Sequence, residues 1–232
     1  MENKFVKVLV EVLLLCISLV LLYLIYSSIM KPVNFNKQKA FRESVAIQRL
    51  KDIRTLQVAY KGIHNRFLST VDSLKIFYES GQMVVDMQVG SADDSLAWAH
   101  TEQVKKKLRG KDINEQLFRL YQAGDTLLVF SVASKIPVRD TLFRGRENFC
   151  IDSLLYIPFS GKQKVEMEAV TRQVSGVPVP LFEARMPYKA LLQGLDNQLR
   201  INLDCSRRDQ NKYEGLQVGS VSVPNNNAGN WE

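Results

Sequence analysis

The residues Val8 to Met30 form a continuous apolar run, VLVEVLLLCISLVLLYLIYSSIM, in which Glu11 is the one charged residue. As an α-helix this run would extend about 35 Å, which exceeds the roughly 30 Å of a bilayer's hydrocarbon core. The run therefore predicts one membrane-spanning helix. It also makes membrane lipid the first expected partner of this chain.

The signals for removal of this run are weak. A cleaved signal peptide has an apolar region of about 7 to 15 residues followed by an A-x-A-like pair of small residues. This run is longer, and the stretch Ser27 to Lys31 lacks such a pair. Cleavage before Cys16, as in a lipoprotein, is disfavoured by the bulky Leu15. We expect a cytoplasmic tail at residues 1–7 and a retained anchor at residues 8–30.

Two signals disagree about the orientation of the anchor. Four basic residues follow the run between Lys31 and Arg42 and only Lys4 and Lys7 precede it, so the positive-inside rule favours a cytoplasmic domain. However, long domains translocate largely regardless of charge, and a short basic N-terminus before an apolar helix is the form of a signal anchor. We expect a single-pass protein of the inner (cytoplasmic) membrane with an extracytoplasmic C-terminal domain.

The positive charge of the chain is concentrated next to the anchor. Between Lys31 and Arg66 nine basic residues face two acidic ones, an excess of seven that equals the formal net charge of +7. This basic surface can be a solvated helix face near anionic headgroups, or it can dock an acidic partner. Nucleic-acid binding is disfavoured, because Phe41, Tyr60 and Phe67 fall on the apolar stripe rather than among the cations.

Residues 31–81 are predicted to form an amphipathic helical stalk. We expect Pro32 to interrupt the helix and Asn34 or Asn36 to cap its continuation. Apolar residues then recur at steps of mostly three and four. Part of this stripe can cover the chain's own sheet, and the part nearest the membrane is expected to meet a neighbouring subunit. The candidate partner-interface residues are Phe41, Val45, Ile47, Leu50, Ile53, Leu56 and Tyr60.

Residues 82–223 are predicted to form an α+β soluble domain with a mainly antiparallel sheet. The expected strands lie at 83–89, 126–134, 154–159, 164–174, 181–186, 199–203 and 217–223, with turns at Ser160-Gly161 and at Pro178 and Pro180. The segment 91–124 is helical in composition, and a short helix is expected near 188–195. Residues 224–232 are polar and are expected to be a disordered tail.

Several segments resemble type IV pilins and type II secretion pseudopilins: Leu9 to Leu15 (LVEVLLL), Ala46 to Tyr60 (AIQRLKDIRTLQVAY), and His64-Asn65-Arg66-Phe67 before Val71-Asp72-Ser73-Leu74. In that family an apolar helix with an acidic residue near its start continues into an amphipathic helix, and an antiparallel sheet packs on that amphipathic helix. The resemblance covers residues 8–80. The family's processing site needs a glycine before the mature N-terminus, whereas the first glycine here is Gly62, so we expect the first residues to be retained.

Glu11 and Lys7 are the candidate membrane-assembly residues. The resemblance implies that the matching acid meets a neighbouring subunit inside the membrane. Lys7 precedes Glu11 by four residues, so a pair within the same helix is an alternative. A third interpretation is simple tolerance, because Glu11 lies only about 4.5 Å inside the apolar boundary.

Signals for chemistry are poor. His64 and His100 are far apart and lack the ligand spacing of a metal site. The sequence contains no G-x-S-x-G, H-E-x-x-H or Walker motif. We expect no enzyme activity, no catalytic or metal-binding residues and no cofactor. Cys150 and Cys205 can form a disulfide outside the cytoplasm or remain two free thiols.

Two functions are consistent with these features. The first is a pilin-like or pseudopilin-like membrane subunit of a secretion, adhesion or motility apparatus, assembling as a homo-oligomer or with other membrane subunits. The second is a non-polymerising single-span scaffold resembling pilus alignment-complex components. A helix that continues through Pro32 favours the first function, and a break there favours the second.

Overall fold

The computed structural model describes residues 2–91, 93–110, 112–147 and 149–232, with side chains from residue 7 onward. The fold is mixed helix and sheet, with antiparallel pairing throughout the described strands, as predicted. The helices are α1 Glu2–His64, α2 Val71–Ser80, α3 Ser95–Lys107, α4 Ile113–Gln122, α5 Val138–Thr141, α6 Asp152–Leu155, α7 Tyr188–Leu191 and α8 Asn197–Asp209. The strands are β1 Gln82–Val89, β2 Phe130–Pro137, β3 Glu166–Val174, β4 Val177–Pro187 and β5 Gly215–Gly219.

Helix α1 is continuous over 63 residues and contains Pro32 in its interior. The predicted interruption at Pro32, and the caps at Asn34 or Asn36, are therefore wrong. A proline removes one helical hydrogen bond, and both flanks compensate for that loss. The apolar run continues helical on one side, and Phe35 is already buried in the domain core on the other.

The main core lies between the C-terminal half of α1 and a sheet with the strand order β3-β4-β5. Leu50, Ile53 and Leu56 have no exposed surface. They belong to the same buried cluster as Phe182 and Val218 of the sheet. Each fully buried aliphatic side chain stabilises the fold by about 1.5 to 3 kcal/mol, so this contact is a principal source of stability.

Strands β1 and β2 form a separate two-stranded antiparallel sheet, and the connection between these strands contains α3 and α4. A second small core of Val89, Leu117, Leu128 and Phe130 lies inside this unit. Side-chain caps are present at the starts of α2, α3 and α8. Asp94 accepts hydrogen bonds from the backbone N–H groups of Leu96 and Ala97 at the start of α3.

Three local predictions from the sequence are wrong. Residues 154–159 and 199–203 were expected to be strands, but they lie in or next to α6 and within α8. Pro178 and Pro180 were expected to mark a turn, but both lie within β4. Strand β4 pairs with β5 only from Glu183 to Pro187, so both prolines occupy a part of β4 that has β3 as its one partner.

The C-terminal residues 224–232 are docked rather than disordered, contrary to the prediction. The backbone N–H of Asn230 donates to the carbonyl of Gln217 at 2.9 Å, and the N–H of Gly219 donates to the carbonyl of Ala228 at 3.0 Å. Trp231 packs against the main core. The tail therefore covers the outer edge of β5.

Candidate functional site

One face of α1 remains exposed along the whole soluble domain. Its residues recur at alternating steps of four and three, which places them on one side of the helix. We call them the exposed face of α1. They are Lys37, Phe41, Ser44, Gln48, Lys51, Thr55, Val58 and Gly62.

The width of the sheet explains why this face stays open. Three strands spaced by about 4.8 Å cover one side of a helix about 10 Å in diameter but do not wrap around it. The buried residues Leu50, Ile53 and Leu56 occupy the covered side. The opposite side has the length of the domain, and all of its residues remain exposed among the described parts of the chain.

Phe41 is the largest apolar side chain on the exposed face, with 62% of its surface accessible. Its ring lies 6.0 Å from the ring of Phe159, centroid to centroid. The guanidinium of Arg42 lies over Phe159 at 4.9 Å and donates to the carbonyls of Leu191 and Gln193. These contacts fix an exposed aromatic pair at the end of the domain that is next to the apolar run.

The structure divides the predicted partner-interface residues into two groups. Leu50, Ile53, Leu56 and Tyr60 are buried in the chain's own core, so they are core residues rather than interface residues. Val45 and Ile47 are half-buried, and Phe41 is exposed. The periodicity of a sequence cannot separate a core stripe from an interface stripe, because both require the same apolar spacing.

A cavity of about 350 Å³ borders the exposed face, between α1 and residues 146–153. Asp52 is buried beneath it and accepts hydrogen bonds from Gln48 at 3.0 Å and Arg146 at 2.5 Å. The hydrogen bond to Asp52 raises the pKa of Arg146, and burial lowers the pKa of Arg49. Arg146 is thus paired with Asp52, and Arg49 donates to the carbonyl of Tyr156. Both arginines have partners within the domain.

The opposite flank of α1 is tied to α7. The hydroxyl of the buried Tyr188 donates to Glu43, and Lys39 pairs with Glu43 at 3.4 Å. Burial and the contact with Glu43 raise the pKa of Tyr188. The hydroxyl thus remains protonated and holds α1 against the short helix.

In the apolar run Glu11 is exposed, as are its neighbours. No ion pair joins Glu11 to Lys7 among the side chains that the structure describes, although their spacing allows one. Helix α1 is long and apolar enough to span a membrane near its N-terminus. A carboxylate in such a segment needs a neutralising contact or a position near the interface.

We compared the chain with family models, curated proteins and solved structures. None of them matches it.

The other predicted site residues do not converge. Cys150 and Cys205 carry free, exposed thiols, so the considered disulfide is not formed. The ring of His64 lies tilted by 35° against the ring of Tyr60, with ring centroids 4.3 Å apart, and His100 lies 2.9 Å from Asp125. Within the described ranges, no three His, Cys, Asp or Glu residues are grouped to hold a metal ion.

Gln57 is a buried polar residue whose structural role the sequence did not reveal. Its side chain is fully buried on the covered side of α1 and bonds both the N–H and the C=O of Leu68. Glutamine in an amphipathic helix is ordinarily a surface residue. No sequence signal distinguishes this one.

Proposed function

We propose that this protein is a pilin-like or pseudopilin-like subunit of a secretion, adhesion or motility apparatus, and that it assembles laterally through α1. One observation supports this proposal above the others. Helix α1 is continuous from the apolar run into the domain, and one of its faces is uncovered over the full length of that domain. A helix of this kind can contact a neighbour at the level of the bilayer and of the soluble domain together.

The proposal places the apolar run in the inner membrane and the domain outside the cytoplasm. Glu11 then lies in the span, and no described side chain of its own chain pairs with it. A charged residue costs about 2.5 to 3.5 kcal/mol at the bilayer centre and less near its edge. A polar group supplied by a neighbouring subunit would offset that cost, as the resemblance to pilins implies.

The scaffold alternative receives less support from α1. A scaffold with an independent coiled-coil helix requires a break at the membrane exit, and α1 has none at Pro32. The absent processing glycine is compatible with either function.

Cysteine crosslinking in membranes tests lateral assembly. In full-length protein with Cys16, Cys150 and Cys205 replaced by serine, Phe41→Cys is compared with Ile76→Cys on α2. The two native side chains have the same exposed fraction, 62%. We expect a crosslinked dimer from Phe41→Cys and little product from Ile76→Cys, and equal yields would contradict the proposal.

A second pair of variants separates assembly from folding. Leu50→Ala should lower the free energy of unfolding by about 2 to 5 kcal/mol, because it opens a cavity in the core. Phe41→Ala should leave the melting temperature nearly unchanged and reduce crosslinking through a Ser44→Cys reporter. A large loss of stability in Phe41→Ala with unaltered crosslinking would show that Phe41 acts only inside its own domain.

A further inference from the structure

The cavity beside the exposed face of α1 carries more positive than negative charge. Its volume is about 350 Å³, and its charged lining residues are Arg49, Asp52 and Arg146. Asp52 is buried and accepts from Arg146 at 2.5 Å, so these two charges balance each other. The guanidinium of Arg49 then leaves one positive charge in the cavity without a counter-charge.

Arg49 is half-buried and has no acidic partner among the described residues. Its guanidinium donates to the carbonyl of Tyr156 at 2.7 Å, and a carbonyl carries no net charge. Burial lowers the pKa of Arg49, because the surroundings do not replace the hydration that the cation has lost. An oxyanion in the cavity would supply the missing counter-charge.

The second guanidinium of the cavity is held in a fixed orientation. That of Arg146 lies over the rings of Phe143 and Phe149, at 5.5 Å and 5.4 Å from their centroids. These two rings stack on each other at 4.0 Å. The bond from Arg146 to Asp52 uses one nitrogen, Nη1, and 43% of the side chain is exposed. A guanidinium oriented in this way loses little conformational freedom when a ligand binds.

We propose that this cavity binds one carboxylate group, supplied by an aspartate or glutamate side chain of a neighbouring subunit. The planar guanidinium matches a carboxylate through paired hydrogen bonds. A carboxylate carries one negative charge, which balances the single excess charge of the cavity. A phosphate monoester carries about 1.5 to 2 negative charges and would exceed it.

The position of the cavity indicates the source of the carboxylate. Ser44 and Gln48 line the cavity and also belong to the exposed face of α1. A subunit packed on that face would cover the cavity, and a cation buried there without a partner is costly. A volume of about 350 Å³ is near the lower limit for small-molecule pockets and accommodates one side chain. The assignment to a neighbouring subunit rests on the proposed function, whereas the charge of the cavity does not.

Cys150 reports the charge of the cavity, because it lines the cavity and carries an exposed free thiol. In the full-length chain in detergent, with Cys16 and Cys205 replaced by serine, Cys150 is labelled with a sulfonate-bearing or a trimethylammonium-bearing methanethiosulfonate. Each rate is divided by that reagent's rate with a small free thiol. We expect a normalised rate about tenfold higher for the anionic reagent, since a unit charge about 6 Å away in water changes each rate about threefold. Equal normalised rates overturn the proposal.

Two arginine variants separate the cavity from the general charge of the chain. Arg49→Gln should bring the ratio of the two normalised rates close to one. Arg66→Gln is the matched control, because Arg66 is exposed beyond the end of α1 and does not line the cavity. An equal fall of the ratio in both variants overturns the proposal.

Competition tests the class of ligand without a substitution of the cavity's arginines. Sodium acetate in place of sodium chloride, at constant ionic strength, should slow the anionic reagent at Cys150 about twofold once half of the cavities are occupied. The same exchange should not slow labelling at Ile76→Cys in a chain without the native cysteines. No slowing by acetate, or stronger slowing by phosphate than by acetate, overturns the assignment to a carboxylate.

Crosslinking in membranes tests the source of the carboxylate. In the chain without native cysteines that carries Phe41→Cys, Arg49→Gln should lower the crosslinked yield about fivefold and Arg66→Gln should not. An unchanged yield in Arg49→Gln overturns the assignment to a neighbouring subunit. No crosslink in the parent chain contradicts lateral assembly and, with it, this source. Equal labelling rates at Cys150 contradict the cavity alone, so the two failures are distinguishable.

Discussion

At the scale of single residues, Gln57 shows how a polar side chain organises a chain reversal. Its amide nitrogen donates to the carbonyl of Leu68 at 2.7 Å, and its oxygen accepts from the N–H of Leu68 at 2.9 Å. These two bonds hold the segment that follows α1, at Leu68, against the helix. A buried amide is stable here because both of its ends have partners.

Replacing this amide should destabilise the protein. Gln57→Met has a similar volume but leaves the N–H and C=O of Leu68 unpaired in the core, so we expect the free energy of unfolding to fall by about 2 to 4 kcal/mol. Chemical denaturation of the detergent-solubilised full-length chain measures this. Gln38→Met on the exposed surface of α1 is the control, and an equal effect there would contradict the role of Gln57.

Residue-scale features of the candidate site were only partly predictable. The stripe from Phe41 to Tyr60 was evident from its spacing, because burial on one side of a helix imposes that spacing. Its division into core and surface was not, since the division depends on where a sheet more than a hundred residues later comes to lie. Exposed Phe41 and buried Leu50 look alike in the sequence.

At the scale of elements, prediction succeeded where local signals agreed. Strand β1 was predicted within one residue of its start, and the predicted end of the helical stalk at residue 81 coincides with Gly81, the C-cap of α2. The prediction of a strand at residues 199–203 failed because their sequence, LRINL, alternates apolar and polar side chains as a half-buried strand does. Helix α8 begins at Asn197, and the side chain of the preceding Asp196 accepts from the N–H of Leu199 and caps the first turn.

The docked tail should contribute to stability. Deleting residues 224–232 removes the cover of β5 and the packing of Trp231, so we expect a loss of about 2 to 4 kcal/mol in the free energy of unfolding. Thermal melting of the full-length and truncated chains measures this. An unchanged melting temperature would mean that the tail only rests on the surface.

The last side chain of the tail has a dependence on pH of known sign. The guanidinium of Arg54 donates to Glu232 at 2.7 Å and lowers the pKa of that carboxyl. The contact is therefore complete above the ordinary range of a glutamate and weakens as the pH falls through the lowered pKa. Because the side chain of Glu232 is exposed, Glu232→Gln should change stability far less than the deletion.

At the scale of the whole molecule, the sequence predicted a helical stalk at residues 31–81 followed by an α+β domain at residues 82–223. That layout follows from composition, and it holds for α1, α2 and the sheet β3-β4-β5. The separate β1–β2 unit was not predicted as a unit. Its existence depends on a pairing between strands about 40 residues apart in sequence, which no local pattern encodes.

The proposed orientation of the chain in the membrane, with its C-terminal domain outside the cytoplasm, can be tested with a reporter enzyme. A periplasmic phosphatase fused after Glu232 should be active in cells, and the same reporter fused before Met1 of the full-length chain should be inactive. Glu232 is exposed at the surface, so a fusion there does not disturb the core. Activity of the N-terminal fusion alone would reverse the proposed topology.

Because α1 is continuous through Pro32, the apolar segment and the domain are expected to tilt together. From Phe35 to His64 the helix rises about 44 Å at 1.5 Å per residue. A tilt of about 20°, which is average for spans in bilayers, would therefore carry the far end of the domain sideways by about 15 Å. A change in bilayer thickness would therefore change the tilt of the domain, and a force on the domain would change the tilt of the apolar segment.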